Sequence, residues 1–153
     1  MGPGPKPDQI RCCGALRAGR LVALVCDRDL TGHGLPVRMF GAAATIMGGS
    51  ASLALKTGAP LLPAGVFHDR RAGRWVSVVR PPIHVEPSGD QRSDALALTQ
   101  RLAEEFEQLI SSAPEQWHML SRYWRGAPGT QPDPQELPPP QELPTSTAED
   151  AMP

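Results

Sequence analysis

Leu21-Val-Ala-Leu-Val-Cys-Asp-Arg-Asp29 is the stretch on which the reading of this chain turns. Its first six residues are apolar and its last three are charged. A short apolar run bounded by polar residues reads as a strand buried on both faces. Charges at the carboxyl end of such a strand sit where open α/β sheets place their ligands. The run therefore predicts a central strand over 21–26 with a functional edge at Asp27, Arg28 and Asp29.

Outward from that edge, Leu30 to Phe40 carries Gly32, Gly34 and Pro36 and reads as an irregular loop. Gly41 to Thr45 is chain of small residues. Ala51 to Lys56 reads as a helix stopped by Gly58, with Leu53 inward. Pro60 to Phe67 reads as a second buried strand, opened by proline where no ladder donor is needed. Arg70 to Gly73 is a turn, and Trp75 to Val79 is a strand with one face in the core. Ser93 to Ser112 is the strongest helix: Leu96, Leu102, Phe106, Leu109 and Ile110 follow a 3.6-residue period, and Glu104, Glu105 and Glu107 read as its solvated side. Gln116 to Trp124 reads as a shorter, aromatic-rich helix. Before the central run, Ile10 to Arg20 reads as a short helix ended near Gly19.

Length and composition bound the rest. The chain has 153 residues and 18 prolines, concentrated at its two ends. Residues 1–9 are expected to be a disordered start, 10–125 one α/β domain, and 126–153 a disordered tail with a near-repeat of Pro-Gln-Glu-Leu-Pro. A net charge of -1 speaks against a nucleic-acid binder. Cys12 and Cys13 are adjacent and Cys26 lies in the apolar run, so a disulfide framework is not indicated. No apolar run is long enough to span a bilayer, and the first residues lack a signal peptide's apolar stretch. The expected location is the cytosol or the cytosolic surface of a membrane.

Leu21 to Leu30, Phe40-Gly41, Met47-Gly-Gly-Ser-Ala-Ser-Leu-Ala-Leu-Lys-Thr-Gly-Ala-Pro-Leu-Leu-Pro63 and Pro114-Glu-Gln-Trp-His-Met-Leu-Ser-Arg-Tyr-Trp-Arg125 lie in one register. Together they resemble the lysophospholipid acyltransferase-like superfamily, in the branch of lipid A and phosphatidylinositol mannoside acyltransferases. The likeness covers roughly Leu16 to Arg125, and the Arg-rich composition suits actinobacterial members. The resemblance implies part of a mixed sheet flanked by helices. It implies a fatty acyl group moving from an acyl thioester (acyl-CoA or acyl carrier protein) to a hydroxyl of a membrane glycolipid, on the cytoplasmic side of the cell membrane, with no cofactor or metal. Asp27, Arg28 and Asp29 would bind substrate, joined by His33 in the adjoining glycine-rich loop.

The family's base is the His of a His-x4-Asp motif, which makes a hydroxyl nucleophilic. His33, His68, His84 and His118 are followed five residues later by Arg38, Gly73, Gly89 and Tyr123, so the motif is absent. In the family it lies upstream of the matched part, in an N-terminal half that would have to supply the base; the chain alone is expected to be inactive. The mannoside branch often carries an acidic residue on the strand that here reads Leu62-Pro-Ala-Gly-Val66.

Two other readings stand beside this one. Asp27-Arg-Asp29-Leu-Thr31 also resembles the Asp-x-Asp-x-Thr opening of haloacid-dehalogenase-type, Mg²⁺-dependent phosphohydrolases, and Gly89-Asp90-Gln-Arg-Ser-Asp94 imitates their late acidic motif. Pro87-Ser88 before that motif, and Lys56 inside a helix, count against it. The third reading is a non-enzymatic fragment or interaction piece. Each site residue also has a plain structural role: Asp27 and Asp29 as turn caps, Arg28 as their ion-pair partner, His33 as a solvated loop histidine.

Overall fold

A computed structural model describes residues 7–29 and 31–119. The elements run α1 (Pro7–Arg17), β1 (Leu35–Met39), β2 (Ala42–Ile46), α2 (Gly49–Thr57), β3 (Ala64–Asp69), β4 (Arg74–Val79) and α3 (Gln91–Ser112), then a 3-10 turn over Pro114–Gln116. The class is mixed α/β. Its strands form two separate antiparallel hairpins, β1–β2 and β3–β4, in place of one mixed sheet.

The long helix was the most legible element, and its physics is simple. Asp90 caps its start, accepting from the N–H groups of Arg92 and Ser93 at 3.2 and 3.1 Å. The Ser93 hydroxyl and these two N–H groups hold the Asp90 carboxyl below its ordinary pKa. Buried Asp94 accepts from the N–H and hydroxyl of Ser88, which fixes the entry of the chain into the helix. Leu102, Ala103, Phe106 and Leu109 then pack with Val37, Met39, Ala44 and Ile46 in the main core. Those four strand residues alternate along β1 and β2, whose register pairs Val37 with Ala44 and Leu35 with Ile46, so one face of the hairpin lies on α3.

The hairpin occupies the stretch that the glycines made read as loop and small-residue chain. Its signal was present in the strict alternation of Leu35-Pro-Val-Arg-Met39, ahead of a two-residue turn at Phe40-Gly41. Both turn residues have positive φ, 51° and 74°, the conformation that a tight antiparallel connection favours. Glycine takes it freely and phenylalanine does not. Phe40 is held there from outside: its N–H donates to Glu107 Oε1 at 2.6 Å, and its ring lies 6.2 Å from that of Trp117.

The acidic side of α3 is therefore more than solvated surface. Gln100 accepts from the Arg38 N–H at 2.8 Å and donates to the Arg38 carbonyl at 3.1 Å, closing the outer edge of β1. Glu105 pairs with Arg80 at 2.8 Å, and Arg80 also reaches Gln108.

Four expectations change. Leu21–Cys26 belongs to no strand or helix, and Leu21 and Val25 are 88% and 90% exposed. An apolar run becomes a buried strand only where neighbours offer a ladder, and the described residues offer none. The second strand starts at Ala64, not Pro60, and is not buried on both faces. It pairs with β4 alone, with Phe67 turned towards α3 and Val66 out. The helix expected from Gln116 is, in its described part, the 3-10 turn followed by irregular chain to Met119. α1 opens at Pro7, inside the stretch 1–9 expected to be disordered; residues 1–6 lie outside the description. The tail at 126–153, and Arg122, Tyr123, Trp124 and Arg125, also lie outside the described residues. The helix over 51–56 and its glycine stop hold: α2 ends on Gly58 at φ 71°.

Leu102 is 1% exposed at the centre of the α3–hairpin contact. Leu102→Ala should cost about 2–5 kcal/mol, read as a lower urea midpoint with little change in slope.

Candidate functional site

Asp27, Arg28 and Asp29 form a bend at the end of the apolar run, close to the N-terminal end of α2 and to the segment after α3. Asp29 organises the loop that follows. Its Oδ1 accepts from the N–H of Thr31 at 2.9 Å, the Thr31 hydroxyl at 3.0 Å and the N–H of Gly32 at 2.9 Å. Its Oδ2 accepts from the Gly34 N–H at 2.7 Å. An aspartate reaching two and three residues ahead is the Asx turn that its spacing allowed. Gly34 is needed for this closeness, since a Cβ there would stand 2.8 Å from both Asp29 Oδ2 and the Ile46 carbonyl.

Partial burial opposes ionisation of Asp29. The N–H groups of Gly34 and Thr31 and the hydroxyls of Thr31 and Thr45 outweigh it, and the carboxyl is held below its ordinary value. Asp29 is thus a positioning group whose two oxygens are turned to its own loop.

Asp27 Oδ2 accepts from the indole N–H of Trp117 at 3.1 Å. Gln116, one residue earlier, accepts from the His68 N–H at 2.7 Å and donates to the His68 carbonyl at 3.3 Å, closing β3 as Gln100 closes β1. The Pro-Glu-Gln-Trp segment is therefore a clamp: Gln116 holds β3 and Trp117 holds the Asp27 bend. Trp117 also packs against the core. Sequence reasoning named the segment without this role; only the fold brings residues 27, 68, 116 and 117 together.

Arg28 is half-buried and, among the described residues, makes no ion pair or hydrogen bond; it does not pair with the aspartates beside it. His33 is exposed on the loop, its N–H donating to the Thr31 hydroxyl at 3.3 Å. Cys26 lies behind the bend against the core. Burial pushes its thiol above the usual pKa, the Asp27 carboxylate adds to this, and the neighbouring Ser50 side chain opposes it. Gly48 lies under Leu35, which would stand 2.6 Å from a Cβ, so this glycine serves packing. On the strand where the mannoside branch often has an acidic residue this chain has exposed Ala64 and then Gly65, where a Cβ would stand 2.8 Å from the Phe67 ring.

This geometry disfavours the phosphohydrolase reading. That chemistry needs Asp27 and Asp29 turned together towards a metal and a phosphate, at the end of a buried strand. Asp29 is spent on its loop, Asp27 accepts from Trp117, and among the described residues no strand precedes them. Among the described residues no group of three or more His, Cys, Asp or Glu side chains is placed to hold a metal.

Asp29→Asn removes one acceptor oxygen and presents an amide to N–H donors. It should cost about 1.5–3 kcal/mol near neutral pH, measured by denaturant titration. Because the folded pKa is lowered, the ionised carboxylate stabilises the fold above the ordinary carboxylate range, and this is lost as pH falls through the lowered value. The gap between wild type and variant should be widest above about pH 5 and close on acidification.

The family model described as bacterial lipid A biosynthesis acyltransferase matches residues 5–126. Phosphatidylinositol mannoside acyltransferase of Mycobacterium tuberculosis is 39% identical over 124 residues, which cover 81% of this chain and 37% of that protein. The Mycolicibacterium smegmatis protein of the same name is 37% identical over 109 residues, covering 71% of this chain and 34% of that protein. The chain spans about a third of the length of these curated relatives. It belongs to the bacterial lipid A biosynthesis acyltransferase family.

Proposed function

We propose that the chain serves transfer of a fatty acyl group from acyl-CoA to a hydroxyl of a mannosylated phosphoinositide, at the cytoplasmic face of the cell membrane. The observation that carries this reading is the identity of 37–40% to proteins named phosphatidylinositol mannoside acyltransferase. In such a transfer a base takes the proton of the acceptor hydroxyl, the oxygen attacks the thioester carbonyl, and the thiolate leaves. No cofactor or metal enters this scheme.

Within it, Arg28 meets an anionic group of donor or acceptor, with Asp27 and His33 beside it. Its support is its position and its freedom: half-buried, on a bend held from one side by Trp117 and from the other by the Asp29 loop. Asp29 acts through that loop and not by contact. The base is assigned to family residues outside the matched third, since no His-x4-Asp lies within these 153 residues. In this reading association with the membrane is peripheral, and no described helix is long and apolar enough to cross a bilayer.

The test is transfer of radiolabelled palmitate from palmitoyl-CoA to a mannosylated phosphoinositide. The chain alone should show none above background. Supplemented with the portion of the M. smegmatis relative outside the matched region, it should turn over. Arg28→Ala should then lower kcat/KM roughly 10–100-fold, the loss of one charge-assisted contact. Robust turnover by the chain alone would refute the placing of the base. Mg²⁺-dependent phosphomonoester hydrolysis abolished by Asp27→Asn would refute the whole reading.

A further inference from the structure

The outer face of the β3–β4 hairpin is apolar and open to solvent. Residues opposite one another in an antiparallel pair share a face, so Ala64 and Val79, Val66 and Ser77, and His68 and Trp75 lie together. Phe67 takes the other side, towards α3. Val66, Trp75 and Val79 are 61%, 71% and 60% exposed, and the His68 ring lies 5.1 Å from that of Trp75. No carboxylate stands on this face. Charge is gathered at one end of it, in the turn Asp69-Arg-Arg-Ala-Gly-Arg74. The Asp69 carboxylate is turned to its own loop, accepting from the N–H groups of Arg71 and Ala72 at 3.0 and 3.1 Å. Arg70, Arg71 and Arg74 are exposed and make no ion pair among the described residues. Gln116 grips His68 beside this turn, and Trp117, the next residue, grips Asp27. The arginine-rich turn and the Arg28 bend are thus tied to consecutive residues of one short segment.

We propose that the outer face of β3–β4 docks on an anionic lipid surface, with Arg70, Arg71 and Arg74 on the headgroups and Val66, Trp75 and Val79 at the boundary with the acyl chains. Charge and shape choose this occupant. Arginines without ion-pair partners, beside an exposed indole and two exposed valines, match a layer that is negative outside and apolar beneath. The strands pair with one another over six positions, and their remaining backbone groups stay at headgroup depth, where water reaches them. A second copy of the chain fits less well. Six residues at about 3.3 Å on two strands offer roughly 200–300 Å², against about 800 Å² per partner in a stable complex. Through Gln116 and Trp117, the same docking brings the Arg28 bend towards the surface in which a lipid acceptor resides. The inference deepens the acyl-transfer reading by naming the face turned to the membrane, and it rests on that reading only for the acceptor.

The full chain is sedimented with vesicles of phosphatidylcholine alone, or of phosphatidylcholine and phosphatidylglycerol in equal parts. Trp75 emission is read as the difference between the chain and its Trp75→Phe variant. The expected result is binding to the mixed vesicles only, with a blue shift of Trp75 emission and release by high salt. Arg70→Glu combined with Arg71→Glu should weaken binding roughly 30-fold or more, at about fivefold for each arginine lost. Arg92→Glu combined with Arg101→Glu makes the same change of charge on the exposed side of α3 and should bind as the unaltered chain does. Far-UV dichroism checks that both variants keep the fold. Absence of binding overturns the proposal, and so does equal binding to neutral vesicles or equal loss in the two charge variants. A Trp75 blue shift that grows with protein concentration without vesicles assigns the face to a second copy and overturns it as well. So does burial of Trp75 by the co-expressed unmatched portion of the M. smegmatis relative. No acyl transfer is measured, so loss of vesicle binding beside intact transfer in the complemented assay removes this inference alone.

Discussion

Burial of one stripe of α3 against the inner face of the β1–β2 hairpin is the contact from which the other elements hang. Leu102, Phe106 and Leu109 form the stripe, and Val37, Met39, Ala44 and Ile46 answer it. The same helix holds Arg38 through Gln100, Phe40 through Glu107 and Arg80 through Glu105. Apolar burial supplies the bulk of the driving force, while the polar side chains settle which backbone groups stay paired. A positive φ at Phe40 persists because these contacts hold it from both sides.

The bend at Asp27–Asp29 depends on that frame at second hand. Its two carboxylates do different work at two residues' distance. Asp29 binds its own loop, a local matter of short-range donors. Asp27 is fastened to Trp117, ninety positions on, and so to the end of α3. Arg28 is thereby presented on a support fixed from both sides, with neither carboxylate neutralising it. The proposed contact of Arg28 with an anionic substrate group needs this arrangement, because an arginine already paired and desolvated has little left to give an incoming anion. Family membership supplies the chemistry that such a cation would serve.

The polar clamps act on one strand of each hairpin and on the β1–β2 turn. Two glutamines and one glutamate close strand edges that would otherwise be templates for pairing. The outer edges of β2 and β4 and the apolar run carry no such clamp among the described residues.

The amino-acid sequence by itself determined α3, α2 with its glycine stop, the turn before β4 and the register of resemblance from Leu16 to Arg125, because these rest on local periodicity, capping and motif order. It also contained the Asx spacing of Asp29 and the alternation of β1, the second obscured by its glycines and proline. The state of Leu21–Cys26 was decided elsewhere. Apolar composition states a preference for burial, but a strand exists only where a neighbour completes its ladder, and the described residues supply none. The meeting of Asp27 with Trp117, and of Gln116 with His68, was likewise a matter of tertiary structure alone. Contacts across forty-eight and ninety positions leave no periodic trace in a sequence; they come into being when α3 lies down on the hairpin and carries its C-terminal segment back to the bend.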